Sequence, residues 1–157
     1  EDDNVILFNP DRSMRRVEFA IMMTNYLGIN VDEYADVNLP FTDNDDIPWW
    51  AENNVKAVYS LGLMKGQLGQ FGTAFNPNAD INRMEFAISL NRLLPAGLYS
   101  EPITAADADE IPFWAEESMK TAVAQGIMSG YPDGTLKPFK SVSRAEAVKM
   151  VYNIFGM

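Results

Sequence analysis

A short motif with the same residues in the same order occurs three times in this chain. Each copy has an arginine six residues after a proline and a glutamate two residues after that arginine, and the copies are residues 10–18, 77–85 and 138–146. A repeat of this kind indicates a fold assembled from similar units that bury their apolar faces against one another. It also puts three arginines in equivalent surroundings, which predicts several related binding sites rather than one catalytic centre.

A second block occurs twice, at residues 45–52 and 109–116, with a constant offset of 64. In both copies an acidic loop leads into Pro, an aromatic residue, Trp, Ala and Glu. The first arginine motif has no such block, because its tryptophan would lie before residue 1. Either the chain was cut, or it was processed, or another polypeptide supplies the missing helix. In each case we expect the apolar surface near residues 14–27 to need cover from a missing segment, a second copy or a different chain.

Apolar residues recur at helical spacing in five segments. The predicted helices lie near residues 14–27, 48–61, 82–94, 112–125 and 143–155. Between them, glycine-rich turns begin at Gly66 and Gly130 and contain short extended pieces at most.

The starts and ends of these helices carry recognisable signals. Ser143 and Asn82 stand three residues before a glutamate, which predicts reciprocal capping boxes. Arg15 occupies the same position in the first copy, and a guanidinium cannot accept a hydrogen bond. We therefore expect the start of that helix to be weaker, or to be shifted towards Ser13 or Asp11. Glycines at 62 and 126 are placed to end two other helices.

Composition excludes several classes of function. The net charge of −10 argues against nucleic acid held by bulk electrostatics. The chain has no cysteine and no histidine, which rules out disulfides, Cys/His zinc sites and His-based triads. No segment approaches the ~18 consecutive apolar residues of a membrane span. The acidic runs at 43–46 and 107–110 do not fit an EF-hand, because positions 6 and 12 from Asp43 hold Pro48 and Asn54. No metal or other cofactor is predicted.

The third copy carries a resemblance to a known family. Its sequence Gly-Ile-Met-Ser-Gly-Tyr-Pro-Asp-Gly-Thr-Leu at 126–136, followed by Val-Ser-Arg-Ala-Glu at 142–146, resembles an S-layer homology (SLH) domain. The resemblance covers nearly the whole chain and implies an all-α fold of tandem helix pairs around a pseudo-threefold axis. It implies the back half of one repeat at 1–30 and full repeats at 31–96 and 97–157. The match to the family pattern is closest around Arg144 and weakest around Arg16.

The same resemblance implies an extracellular module that anchors surface proteins non-covalently to the bacterial cell wall. Its partner would be an anionic secondary cell-wall polysaccharide, often with a pyruvylated amino sugar, bound in grooves between repeats. The motif arginines Arg16, Arg83 and Arg144 are the implied recognition residues. A guanidinium fork matches a carboxylate, although a structural Arg–Glu pair is the alternative reading of each.

Other residues are candidates for ligand contact on chemical grounds. Aromatic rings can stack on a sugar, although core packing is the alternative role for the tryptophans, and carboxylates can accept from sugar hydroxyls. These candidates are Trp50, Trp114, Tyr131, Asp43, Asp107, Gly66 and Gly130.

Two other classes of function compete with glycan binding. Two carboxylates can hydrolyse a glycoside, but no pair is singled out here and repeats distribute function over equivalent sites, so we do not predict an enzyme. The second alternative is an oligomerisation scaffold of a bacterial surface layer that binds no glycan directly and self-associates through the first repeat.

Overall fold

The computed structural model describes residues 8–95, 97–98 and 100–156, and this part of the chain is mostly helical. The five helices are α1 (Arg16–Tyr26), α2 (Glu52–Ser60), α3 (Arg83–Asn91), α4 (Glu116–Ala124) and α5 (Arg144–Phe155). One antiparallel hairpin, β1 (Gln67–Gly69) and β2 (Gly72–Ala74), pairs Gln67 with Ala74. The five predicted helices and their order are confirmed. Among the described residues, no helix is both long and apolar enough to span a lipid bilayer.

Capping explains where the helices begin. Asn82 and Ser143 accept from the amides of Glu85 and Glu146 at 2.8 and 3.2 Å, as predicted. The shift of the α1 start towards Ser13 or Asp11 is wrong, because α1 begins directly after Arg15, whose side chain makes no capping hydrogen bond. Half of the capping box is still formed there, since the Glu18 carboxylate accepts from the Arg15 amide at 2.8 Å.

We call a helix that begins at a motif arginine (α1, α3 and α5) a back helix, and α2 and α4 the front helices. Glycines end the two front helices as the sequence predicts. Gly62 and Gly126 both have a φ of +71°, a conformation that side-chain-bearing residues rarely adopt. Each follows α2 or α4 within two residues and turns the chain towards the next loop.

Backbone hydrogen bonds join the three arginine motifs in a closed ring. The amide of Met14 donates to the Val142 carbonyl at 2.8 Å, Ile81 donates to Met14 at 2.9 Å, and Val142 donates to Ile81 at 3.0 Å. The amides of the first helical residues, which have no partner within their own helix, also donate to another copy; the pairs are Arg16 to Ala79, Arg83 to Lys140 and Arg144 to Arg12. The helix starts are therefore held by neighbouring repeats.

Helix packing crosses the expected repeat boundaries. The back helix α1 packs against the front helix α2 of the following repeat, and α3 packs against α4 in the same way. The apolar face of α1 lies in the core, where the rings of Phe19 and Phe86 are 4.5 Å apart. The expectation that residues 14–27 lack cover is thus wrong, because the following repeat provides it.

Helix α5 is less covered by neighbouring helices than α1 and α3 are. Within the described ranges its principal helical neighbour is α3, and no front helix packs along it. Its side chains Val148 and Tyr152 are 52% and 59% exposed.

Candidate functional site

Three surface grooves each contain one motif arginine together with the motif glutamate of the next copy. We name them after their arginines: the Arg16 groove with Glu85, the Arg83 groove with Glu146, and the Arg144 groove with Glu18. Their cavity volumes are about 510, 250 and 420 Å³, in that order. The three arginine motifs therefore correspond to three grooves, and ligand binding in them stays a prediction.

The guanidiniums of Arg16 and Arg83 are buried between repeats. The Arg83 side chain donates to the carbonyls of Leu136 and Ser129 at 2.9 and 2.7 Å and lies 3.3 Å from Glu146. Arg16 makes the equivalent three contacts, and the residues are 3% and 5% exposed. Burial lowers the pKa of Arg16, against the opposing influence of nearby carboxylates. Both arginines connect one repeat to the next.

Arg144 is less enclosed than the other two. Its Nε donates to the Phe8 carbonyl at 2.9 Å, and its guanidinium lies 5.0 Å from the centre of the Phe8 ring. The nearest carboxylate is that of Glu18 at 3.7 Å, which also pairs with Arg12. Its side chain is 26% exposed, so part of this guanidinium faces solvent.

The two candidate tryptophans, Trp50 and Trp114, lie on the surface and not in the core. Trp114 lines the Arg16 groove and is 69% exposed, and Trp50 lines the Arg144 groove and is 56% exposed. The core-packing interpretation of these residues is therefore wrong. Both rings are open to contact with a ligand, and each comes from a repeat that provides neither the arginine nor the glutamate of its groove.

Tyr131 and Gly66 have clear structural roles. The Tyr131 hydroxyl donates to Glu146 at 2.6 Å, and the Arg83 guanidinium lies 4.6 Å from its ring centre. A Cβ atom on Gly66 would lie only 2.2 Å from Cγ2 of Thr73, so the turn requires glycine. Gly66 lines the Arg16 groove, and Gly130 and Tyr131 line the Arg83 groove.

Asp43 and Asp107 hold the loops that lead into the back helices. The carboxylate of Asp107 accepts from the amides of Leu136 and Lys137, both at 2.8 Å, and Asp43 makes the matching pair of bonds at 2.7 Å. Lys137 has a φ of 50°, which is uncommon for a residue with a side chain and requires support. Burial acts to raise the pKa of Asp107, but these hydrogen bonds outweigh it and hold the pKa below its usual value. Contact of either aspartate with a sugar stays a prediction.

The three grooves differ in completeness. The Arg16 groove contains a motif arginine, a motif glutamate, a turn glycine and a tryptophan. Among the described lining residues, the Arg83 groove has no tryptophan and the Arg144 groove has no turn glycine. The most complete groove therefore surrounds the arginine whose motif departs furthest from the family pattern.

The family model that describes the S-layer homology domain matches residues 40–87 and 106–148, which together make up more than half of the chain. The chain belongs to the S-layer homology domain family. The two matched segments contain the second and third arginine motifs and both tryptophan blocks.

Several larger proteins contain a segment similar to this SLH chain. It is 32% identical over 155 residues to cell surface glycoprotein 1 of Acetivibrio thermocellus, covering 92% of this chain and 6% of that protein. It is also 32% identical to the cellulosome-anchoring protein of Acetivibrio thermocellus and to S-layer protein EA1 of Bacillus anthracis, again over 92% of this chain and over 32% and 16% of those proteins. The SLH chain thus spans a third or less of each of these relatives.

Family membership establishes the general setting of the SLH chain. The SLH domain is a non-catalytic module of cell-surface anchoring, and the chain is accordingly an extracellular module associated with the bacterial cell wall. Among the described residues, no group of three or more His, Cys, Asp or Glu residues is arranged to hold a metal ion.

Sequence reasoning missed several residues of the Arg16 groove, among them Lys65, Arg92 and Phe139. Lys65 precedes Gly66, and the matching residue of the third repeat is Ser129. Arg92 lies nine residues after its motif arginine, where the third repeat has Asn153. A search for identical residues passes over such positions, and the useful signal would have been a cation present in only one copy.

A pH dependence of stability is expected from Glu146. Burial acts to raise its pKa, but hydrogen bonds from Ser143 and Tyr131 and the charges of Lys140 and Arg83 lower the pKa to about 2, from 4.5. Because the folded-state pKa is depressed, this stabilisation is present above 4.5 and is lost as the pH falls towards 2. We expect the free energy of unfolding of Glu146→Gln to fall less steeply with acidification than that of the unmodified chain, measured by urea unfolding from neutral pH to about pH 3. An equally steep fall in both proteins would contradict the assignment.

Proposed function

We propose that this SLH chain anchors a larger surface protein to the cell wall by binding an anionic secondary cell-wall polysaccharide in its inter-repeat grooves. A glycan with pyruvylated amino sugars has the required acidic groups. The observation that carries this proposal is the Arg16 groove, where the first repeat contributes the arginine, the second the glutamate and turn glycine, and the third the tryptophan. A pocket of about 510 Å³ falls within the usual range for small-ligand sites.

The charge of this groove supports an anionic ligand. Among the described residues, its lining includes the cations Arg16, Lys65 and Arg92 but only one carboxylate, that of Glu85. The chain as a whole has a net charge of −10. A local excess of positive charge on an acidic protein favours a specific acidic group over non-specific binding of polyanions.

The groove geometry follows from the proposed arrangement of the repeats. We assign them to residues 1–30, 31–96 and 97–157 and place them around a pseudo-threefold axis. The ring of backbone hydrogen bonds through Met14, Ile81 and Val142 supports this arrangement, because each copy donates to one neighbour and accepts from the other.

The other two grooves are proposed as secondary sites. In the Arg144 groove, the exposed part of the guanidinium and the Trp50 ring face the same cavity. In the Arg83 groove, the turn at Gly130 and Tyr131 forms one wall, and Arg83 itself is committed to protein contacts. We assign Asp43 and Asp107 to the support of these walls.

The test is a pull-down with purified cell-wall sacculi, before and after the secondary polysaccharide is stripped. We expect the SLH chain to bind intact sacculi, to be lost from stripped ones, and to release no reducing sugar. Equal retention on both preparations would contradict polysaccharide binding, and release of sugar would contradict a purely anchoring role.

One observation favours the alternative of an assembly scaffold. The exposed Val148 and Tyr152 on α5 offer an apolar surface for association. A scaffold would form concentration-dependent oligomers in analytical ultracentrifugation and would not bind sacculi. The anchoring function predicts binding to sacculi by the monomer.

A further inference from the structure

We propose that the Arg16 groove contains an additional apolar subsite that binds a second sugar residue of the glycan. The side chains assigned to this apolar subsite are Leu68 of the β1–β2 hairpin and Phe139, which line the groove together with Trp114. The inference rests on the proposed function and deepens it, because it makes an oligosaccharide, and not a single acidic sugar, the unit that this groove recognises.

The hairpin that carries Leu68 has no equal in the third repeat, where a shorter turn takes its place. Nine positions separate Gly66 from Phe75, whereas six separate Gly130 from Leu136 at the same place in the third repeat. The three additional residues allow β1 and β2 to pair. Leu68 is 88% exposed and lines the groove. Single exposed apolar side chains are ordinary, but exposed ones that share a cavity mark a binding surface.

The hairpin is held in place at both of its strands. In β1, the Gln67 side chain donates to the Glu85 carboxylate and accepts from Asn76 at 2.6 Å. In β2, the carbonyl of Thr73 accepts from the Thr42 amide at 2.9 Å. The wall that presents the leucine is therefore fixed, and a ligand that covers it loses little affinity to the ordering of the loop.

Phe139 adds an aromatic ring from the third repeat. It directly follows the motif proline, where the other two copies have Asp11 and Asn78. Neither of these polar residues belongs to the described lining of the Arg83 groove or the Arg144 groove. Phe139 is half exposed, and with Trp114 it makes the described contribution of the third repeat to the Arg16 groove wholly aromatic.

The described lining of the groove has two chemical parts. The first two repeats supply all of its charged groups, including Arg16, and its large exposed apolar side chains are those of the apolar subsite. A pyranose ring has an apolar face of C–H groups, which aromatic and aliphatic side chains can cover while a cation holds an acidic substituent. The combination of charged and apolar walls therefore suits an acidic glycan.

The extent of the apolar surface favours more than one sugar residue. A single indole ring can cover one face of one pyranose, and Leu68 and Phe139 add two further side chains to that surface. The cavity volume is about 510 Å³, twice that of the Arg83 groove, whose described lining has no tryptophan. A disaccharide whose acidic residue is bound at the charged wall would use both parts of the Arg16 groove.

The test is calorimetric titration of the whole chain with two probes: a pyruvylated N-acetylamino sugar, and a disaccharide of the same sugar linked to a second N-acetylamino sugar. We expect the unmodified chain to bind the disaccharide about tenfold more tightly. Leu68→Thr keeps the preference for a strand, and Phe139→Asn copies the second motif copy. Each should remove part of that advantage, and the double variant nearly all of it, with affinity for the single sugar unchanged.

Phe71→Thr is the matched control. Phe71 lies between β1 and β2 of the same hairpin, is 87% exposed and does not belong to the described lining of the groove. Its replacement should leave the binding of both probes unchanged. Thermal unfolding of each variant identifies a loss of affinity that comes from loss of the fold.

The outcomes separate this inference from the proposed function. Equal affinity of the unmodified chain for the two probes, an unchanged preference in the double variant, or binding to sacculi but to neither probe would overturn the inference and leave anchoring intact. Loss of self-association in the double variant, with the preference retained, would assign Leu68 and Phe139 to a protein interface instead. Failure of the unmodified chain to bind both probes and intact sacculi would overturn both.

Discussion

Replacing Arg83 with methionine is expected to lower the free energy of unfolding by about 3 kcal/mol, near the lower end of the range for breaking a buried pair. The substitution leaves the carbonyls of Leu136 and Ser129 without their donor and removes one cation from Glu146. The lower end applies because Glu146 is partly exposed and keeps its bonds to Tyr131 and Lys140. For a chain of this size, the melting temperature should fall by about 6–12 °C.

Arg144→Met is the matched control. Arg144 occupies the same motif position, but its side chain is 26% exposed and its carboxylate partner is 3.7 Å away. Its loss should cost about 1 kcal/mol, the usual value of a single hydrogen bond. Urea unfolding of the two variants measures the difference. If both variants lost the same small amount, Arg83 would not have the structural role that its buried contacts indicate.

Replacing Trp114 with alanine is expected to weaken binding to intact sacculi by about tenfold to a hundredfold. Its ring lines the Arg16 groove and is 69% exposed. Covering a large apolar side chain contributes about 1.5–3 kcal/mol, which corresponds to that change in affinity. Stability should change little, because an exposed ring has few contacts to lose.

Phe113→Ala provides the control for Trp114. Phe113 is the preceding residue, is 92% exposed, and is not part of the lining of the Arg16 groove. We expect its loss to leave binding unchanged when affinity is measured with labelled protein on sacculi. Equal weakening by both variants would indicate a non-specific apolar surface instead of a groove.

The local features of this fold could be predicted from the sequence. The five helices and the glycines at 62 and 126 follow from periodicity and backbone preference, which depend on residues within a few positions of one another. The recurrence of the arginine motif also indicated several equivalent sites, and three grooves with one motif arginine each are present. The start of α1 was missed because its amides bond to residues 77–79 of the following repeat.

The composition of the grooves depends on contacts between distant parts of the chain. In the Arg16 groove, Trp114 lies 98 positions from the arginine along the sequence. The spacing of residues within one motif carries no information about which other repeat will pack beside that motif. For the same reason, the sequence could not show that Trp50 and Trp114 lie on the surface.

The sequence by itself determined that this protein consists of SLH repeats with a helix opening on each arginine. Only the tertiary structure decided that α2 covers α1, that α5 is the more open helix, and that Arg16 and Arg83 are committed to protein contacts. The physical reason is that helix formation and capping are local. Cover, burial and the pairing of charges arise where separate repeats meet.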